Sequence, residues 1–154
     1  MRFSIDTSAI LDGWRRHYPR EAFPGLWDHL EALIQSGELR ASEEVKHELE
    51  KKDDDALAWA EEQDQFFVPM DDDIQDAVSA ILRDHPRLID TRRGRSGADP
   101  FVIALAKVRG SAVITGEAPS GSLKRPKIPD VCRAIGVEPI GLLDLIRREG
   151  WVFR

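Results

Sequence analysis

Apolar segments of strand length alternate along this chain with stretches of helical spacing. That alternation confines it to an α/β architecture with a largely parallel sheet. Residues 2–5 read as a first strand and residues 8–14 as a short helix. Pro19 and Pro24-Gly25 punctuate a loop. Leu26, Leu30, Leu33 and Ile34 then recur at helical spacing until Gly37. Leu39-Arg40-Ala41 is a brief second strand. Ser42 caps the next helix, with Glu43 and Glu44 in its first turn and Val45 and Leu49 on its inner face. Residues 56–63 form another helix, and Phe66-Phe67-Val68-Pro69 is extended. Ile74, Ala77, Val78, Ile81 and Leu82 define an amphipathic helix whose start, Asp71-Asp72-Asp73, suits the helix dipole. Asp99-Pro100 opens a strongly apolar helix that Gly110 ends. Residues 111–115 are the best buried strand and residues 128–135 a short helix stopped at Gly136. Residues 137–140 are an edge strand, where Pro139 is tolerated, and residues 142–148 the last helix. No repeat or linker divides the 154 residues, so a single domain, 1–154, is expected.

Several function classes are disfavoured. No apolar run approaches the roughly 18 residues of a membrane helix. Asp6 and Asp12 interrupt any leader-like start, so a cytoplasmic protein is expected. One cysteine excludes an internal disulfide framework and a multi-cysteine zinc site. Cys132 shares apolar spacing with Ile128, Val131 and Ile135 and reads as a packed small hydrophobe. Trp14, Trp27 and Trp59 read as core, with an interface as the alternative. The four histidines are scattered and form no His-Glu-x-x-His pattern. Lys51-Lys52-Asp53-Asp54-Asp55 reads as a polar turn, since it lacks the ligand pattern of a calcium loop. The net charge of -6 argues against broad adhesion to nucleic acid. Two basic clusters remain, Arg92, Arg93, Arg95 in a glycine-containing loop and Lys124, Arg125, Lys127 in another.

Asp6 ends the first strand, and the carboxyl rim of an open α/β sheet is where ligands bind. Glu48, Asp99 and Glu117 recur on a helix, at a helix start and after a strand. Gathered together, these carboxylates would repel one another, take up protons more readily, and call for a cation. Magnesium and manganese prefer such hard oxygen ligands, and they promote attack of water on phosphorus. Each residue also has a plainer reading. Asp6 and Asp99 could be caps, Glu48 a solvated side chain with Glu43 and Glu44 as competitors, and Glu117 an exposed turn residue.

Four segments together resemble PIN-domain ribonucleases, in order and spacing over nearly the whole chain. They are Ile5-Asp6-Thr7-Ser8-Ala9-Ile10, Val45-Lys46-His47-Glu48-Leu49, Ala98-Asp99-Pro100-Phe101-Val102-Ile103-Ala104-Leu105-Ala106 and Val113-Ile114-Thr115-Gly116-Glu117. Lys127-Ile128-Pro129-Asp130-Val131-Cys132 resembles the PIN subgroup called DUF4411. The resemblance implies a PIN-like three-layer α/β/α fold around a twisted parallel sheet of four to five strands. It implies hydrolysis of RNA phosphodiesters with Mg2+ or Mn2+. Asp6, Asp99 and Glu117 would be metal ligands, and Glu48 would hold a water or a second ion. Asp130 would complete the site, because Thr115-Gly116-Glu117 stands where PIN toxins carry a threonine-arginine-aspartate-like turn. Asp130 otherwise reads as a helix-start acid. Ser8 and Thr115 would orient carboxylates. Arg92, Arg93, Arg95, Lys124, Arg125 and Lys127 would contact RNA phosphates. An antitoxin partner and a homodimer are further expectations of the resemblance. The alternative is a non-catalytic PIN-like module that binds RNA or protein.

Overall fold

β1 (Phe3–Ile5) is buried at every position, as a central strand covered on both faces must be. It is the middle of a five-stranded parallel sheet ordered β3 (Phe67–Val68), β2 (Leu39–Ser42), β1, β4 (Ala112–Ile114), β5 (Pro139–Ile140). Phe3 lies opposite Leu39 on one side and Ala112 on the other, and Ile5 opposite Ile114. The computed structural model describes residues 1–89 and 97–154. Helices flank the sheet in a three-layer α/β/α arrangement. Five parallel strands in one sheet agree with the sequence expectation, and the proline-bearing strand is an edge, where its missing N–H costs no ladder bond.

The chain steps outward from β1 through β2 to β3, then returns to the other side of β1 for β4 and β5. The order therefore reverses between β1 and β4. In open α/β sheets that switch point leaves a crevice at the strands' carboxyl ends.

α1 (Thr7–Asp12) runs directly into a π-helical turn, Gly13–His17, which the hydrophobic spacing did not signal. Trp27 Nε1 donates to the Tyr18 carbonyl at 2.8 Å, which anchors the end of that turn. α2 (Pro24–Gln35) begins at Pro24, so this proline is the first helical residue and not loop punctuation. Trp14, Trp27 and Trp59 meet one another, with ring centroids 4.9–6.0 Å apart, and the latter two are buried. The core reading holds for Trp27 and Trp59, and half-buried Trp14 packs against that core.

α3 (Glu43–Lys52) is followed almost at once by α4 (Asp54–Glu61). The expected polar turn at residues 51–55 is thus a single residue. Lys51 and Lys52 still belong to α3, and Asp53 caps α4 by accepting from the Ala56 N–H at 3.0 Å. α5 (Asp72–Asp84) is capped by Asp71, which accepts from the Ile74 N–H at 2.8 Å, as its acidic start implied. α6 (Asp99–Arg109) buries Val102 to Ala106 and ends at Gly110, whose φ of +66° is the left-handed conformation that glycine adopts freely. α7 (Ile128–Ile135) packs buried Cys132, and α8 (Leu142–Glu149) closes the fold. Trp151 stacks on His29 of α2 with ring centroids 4.7 Å apart. Among the described residues no helix is long and apolar enough to cross a membrane.

Candidate functional site

Asp6 directly follows β1, beside the switch point between β1 and β4. It is 2% exposed. Its carbonyl opens α1 by accepting from the N–H groups of Ala9 and Ile10. Its carboxylate makes no capping bond. Oδ2 instead accepts from the Ser8 hydroxyl and from Thr115 Oγ1, the latter at 3.1 Å. Those hydroxyls are themselves held by the turn after β4. The Gly116 N–H donates to Ser8 Oγ at 2.9 Å and the Glu117 N–H to Thr115 Oγ1 at 3.1 Å. Ser8 and Thr115 therefore orient the Asp6 carboxylate.

Glu48 comes from the second turn of α3 and is 9% exposed, so it is not a solvated side chain. Oε1 accepts from Thr7 Oγ1 at 2.8 Å, and Lys52 Nζ lies 3.5 Å from Oε2. Its two competitors are engaged elsewhere. Glu43 accepts from the Met70 N–H at 3.0 Å, and Glu44 lies 3.3 Å from His47 Nδ1.

Asp99 is the first residue of α6 and 6% exposed. α6 joins β4 through only Gly110 and Ser111, yet packs on β1, β2 and β4. It must therefore run antiparallel to the strands, and its N-terminus reaches their carboxyl rim. Ser4 Oγ donates to the Val102 carbonyl at 2.9 Å, one helical turn from Asp99, and fixes this helix on β1. Glu117, half-buried, follows β4 and accepts from the Ile128 N–H at 3.0 Å, so it also tethers the start of α7.

The electrostatics tie three of these acids together. Burial pushes the Asp6 carboxyl up to about 7, against the hydrogen bond from Ser8. The charges of Glu117 and Glu48 push it further, and Thr115 opposes them. Buried Cys132 is raised to about 12, first by burial and then by the charges of Asp6 and Glu117. That thiol stays neutral and inert, as its packed reading requires.

Asp130 has a different place. Its carboxylate accepts from the Ser120 N–H, the Ser120 hydroxyl, the Gly121 N–H and the Lys127 N–H, at 2.8–3.0 Å. Burial opposes its charge, but these donors outweigh it and hold the group at about 2. Three of these donors reach Oδ2 and one reaches Oδ1, so Asp130 orders the loop before α7. Lys124 and Arg125 lie exposed on that loop and Lys127 at its end, half-buried. Arg92, Arg93 and Arg95 lie outside the described residues.

Two residues that the sequence did not single out belong here. Thr7 is the donor that holds Glu48. Asp12 presses on the turn after β4, where a Cβ at Gly116 would stand 2.2 Å from Asp12 Oδ2. The glycine in Thr115-Gly116-Glu117 was the available signal, because it allows that approach. A cleft of about 520 Å³ adjoins Glu117 on the β5 side, with Asp12, His17, Tyr18, Arg133 and Asp144 also on its wall.

Among the described residues no three histidine, cysteine, aspartate or glutamate side chains lie close enough to enclose an ion. Protein donors hold the carboxylates of Asp6, Glu48 and Glu117. The donor set itself, hard carboxylate and hydroxyl oxygens with no thiolate or imidazole, fits magnesium or manganese rather than zinc. A model of the family described as "Domain of unknown function (DUF4411)" matches residues 3–153. No curated protein matches the chain.

Proposed function

The chain belongs to the DUF4411 family, and we propose that it is a divalent-metal-dependent ribonuclease. The observation that carries this reading is the buried Asp6 carboxylate at the sheet's switch point, within electrostatic reach of Glu48 and Glu117. Anionic groups that raise one another's proton affinity are the arrangement a cation relieves. Asp6, Asp99 and Glu117 would hold Mg2+ or Mn2+, with Glu48 beside them. When bound, such an ion supplies Lewis-acid charge that favours ionisation of water and neutralises a phosphodiester.

The chain's own residues do the rest. Ser8 and Thr115 fix the Asp6 carboxylate, and Thr7 fixes Glu48, so little reorganisation is left for the reaction. The N-terminus of α6 adds positive potential beside Asp99. Lys124, Arg125 and Lys127 are available to phosphates of the strand. The sequence resemblance to PIN-domain ribonucleases supports RNA as the substrate, and with it the role of toxin in a toxin–antitoxin pair.

The test is cleavage of a mixed RNA pool by purified protein with manganese, with magnesium and with chelator, beside Asp6→Asn and Asp99→Asn. Metal-dependent cutting lost in both variants is the expected result. No cutting, together with no manganese-induced rise in melting temperature, would overturn it in favour of a non-catalytic binding module.

A further inference from the structure

Building on the ribonuclease reading, we propose that the cleft beside Glu117 seats one unpaired nucleoside of the RNA strand, next to the phosphodiester presented to the acids. Its volume of about 520 Å³ lies within the range of small-ligand sites, roughly 300–1,000 Å³. It opens at the carboxyl rim, and Glu117 belongs both to its wall and to the group of charges around Asp6. A strand whose phosphate reaches Asp6 from the β5 side therefore lays its neighbouring nucleoside here.

The lining matches a nucleoside better than a phosphate. Asp12, Glu117 and Asp144 disfavour an anion deep inside, yet each offers acceptors to ribose hydroxyls and exocyclic amines. Asp144 keeps one bond to the Gly141 N–H at 3.1 Å. Tyr18 supplies an aromatic ring steadied by Phe23, in T-shaped contact at 5.4 Å, and a base can stack on such a ring whatever its identity. Arg133 is exposed and, among the described residues, makes no ion pair or hydrogen bond, so its guanidinium is available to a phosphate at the mouth. His17, also exposed, is likewise without an ion pair among the described residues. A base inside a duplex cannot enter this cleft without leaving its stack, so the cleft favours single strands.

The experiment measures binding of fluorescent oligoadenylate in chelator by full-length Asp6→Asn protein, so that the strand stays whole. Tyr18→Leu, Tyr18→Phe and Arg133→Ala are added singly, with melting curves as a check on folding. Affinity should fall about tenfold with Tyr18→Leu and with Arg133→Ala, stay near the parent value with Tyr18→Phe, and be weaker for the annealed duplex. Equal binding by all variants, or equal binding of duplex and single strand, overturns the inference. So does an acidic peptide that binds the cleft while oligoadenylate does not. The two readings fail separately. RNA cleavage that persists with no effect of Tyr18 or Arg133 on binding overturns the cleft alone. Tyr18-dependent binding with neither metal-dependent cleavage by the parent chain nor a manganese-induced rise in its melting temperature overturns the ribonuclease and leaves the nucleoside cleft standing.

Discussion

Asp6 is costly to keep charged where it stands, and its titration makes stability depend on pH in a predictable direction. Its carboxyl lies near 4 when unfolded and is raised to about 7 in the fold, chiefly by burial. Between those values the folded state holds more protons than the unfolded one, so stability falls as pH rises. Melting temperatures recorded from about pH 4.5 to pH 7.5 should therefore show a decline that Asp6→Asn flattens. On the proposed reading, manganese restores the lost stability near pH 7.5 and has little effect near pH 5. Asp130 works in the opposite sense. Held at about 2 despite burial, it adds stability above the ordinary carboxylate range that disappears as pH falls toward 2. Thr7 tests the support of the second acid. Thr7→Val removes the 2.8 Å bond to buried Glu48 and should cost about 1–3 kcal/mol in urea unfolding, while Thr7→Ser keeps most of it.

Among the elements, the turn after β4 bears on the site most directly, because it holds Ser8 and Thr115 and lies against Asp12. A methyl group at residue 116 would stand 2.2 Å from Asp12 Oδ2 and 3.0 Å from the Ser8 carbonyl. The side chain of Asp12 can swing away, but the Ser8 backbone cannot. Gly116→Ala should therefore destabilise the protein by about 1–3 kcal/mol and, on the proposed reading, weaken manganese-induced stabilisation, both read from melting curves. Helix starts remote from the site behave more simply. Asp71→Ala should cost about 1 kcal/mol of stability and, on the proposed reading, leave cleavage unchanged, since among the described residues Asp71 caps α5 and pairs with Arg109.

For the molecule as a whole, the tryptophan cluster joins α2, α4 and the π-helical turn behind the site. Trp27→Ala should cost about 3–5 kcal/mol, a large part of the roughly 5–15 kcal/mol by which a domain is stable, and should be visible as a collapse of the melting temperature. Most elements were legible beforehand, because their causes are local. Apolar spacing marks α5 and α6, Gly110 and Gly136 stop helices, and the apolar run into Thr115 marks β4. The π-helical turn was not legible, since it rests on Trp27 reaching back to Tyr18. The candidate acids could be named from strand ends and helix starts, but their partners could not. Thr7 and Glu48 are 41 residues apart in sequence, and Thr115 and Asp6 are 109 apart. The sequence by itself determined the strands, the helices and the acids at their ends, because propensity, periodicity and capping act over a few residues. Only the tertiary structure decided that Glu48 is buried, that Asp130 orders a loop and that Asp12 touches Gly116, because burial and long-range hydrogen bonds exist only once the sheet has brought distant segments together.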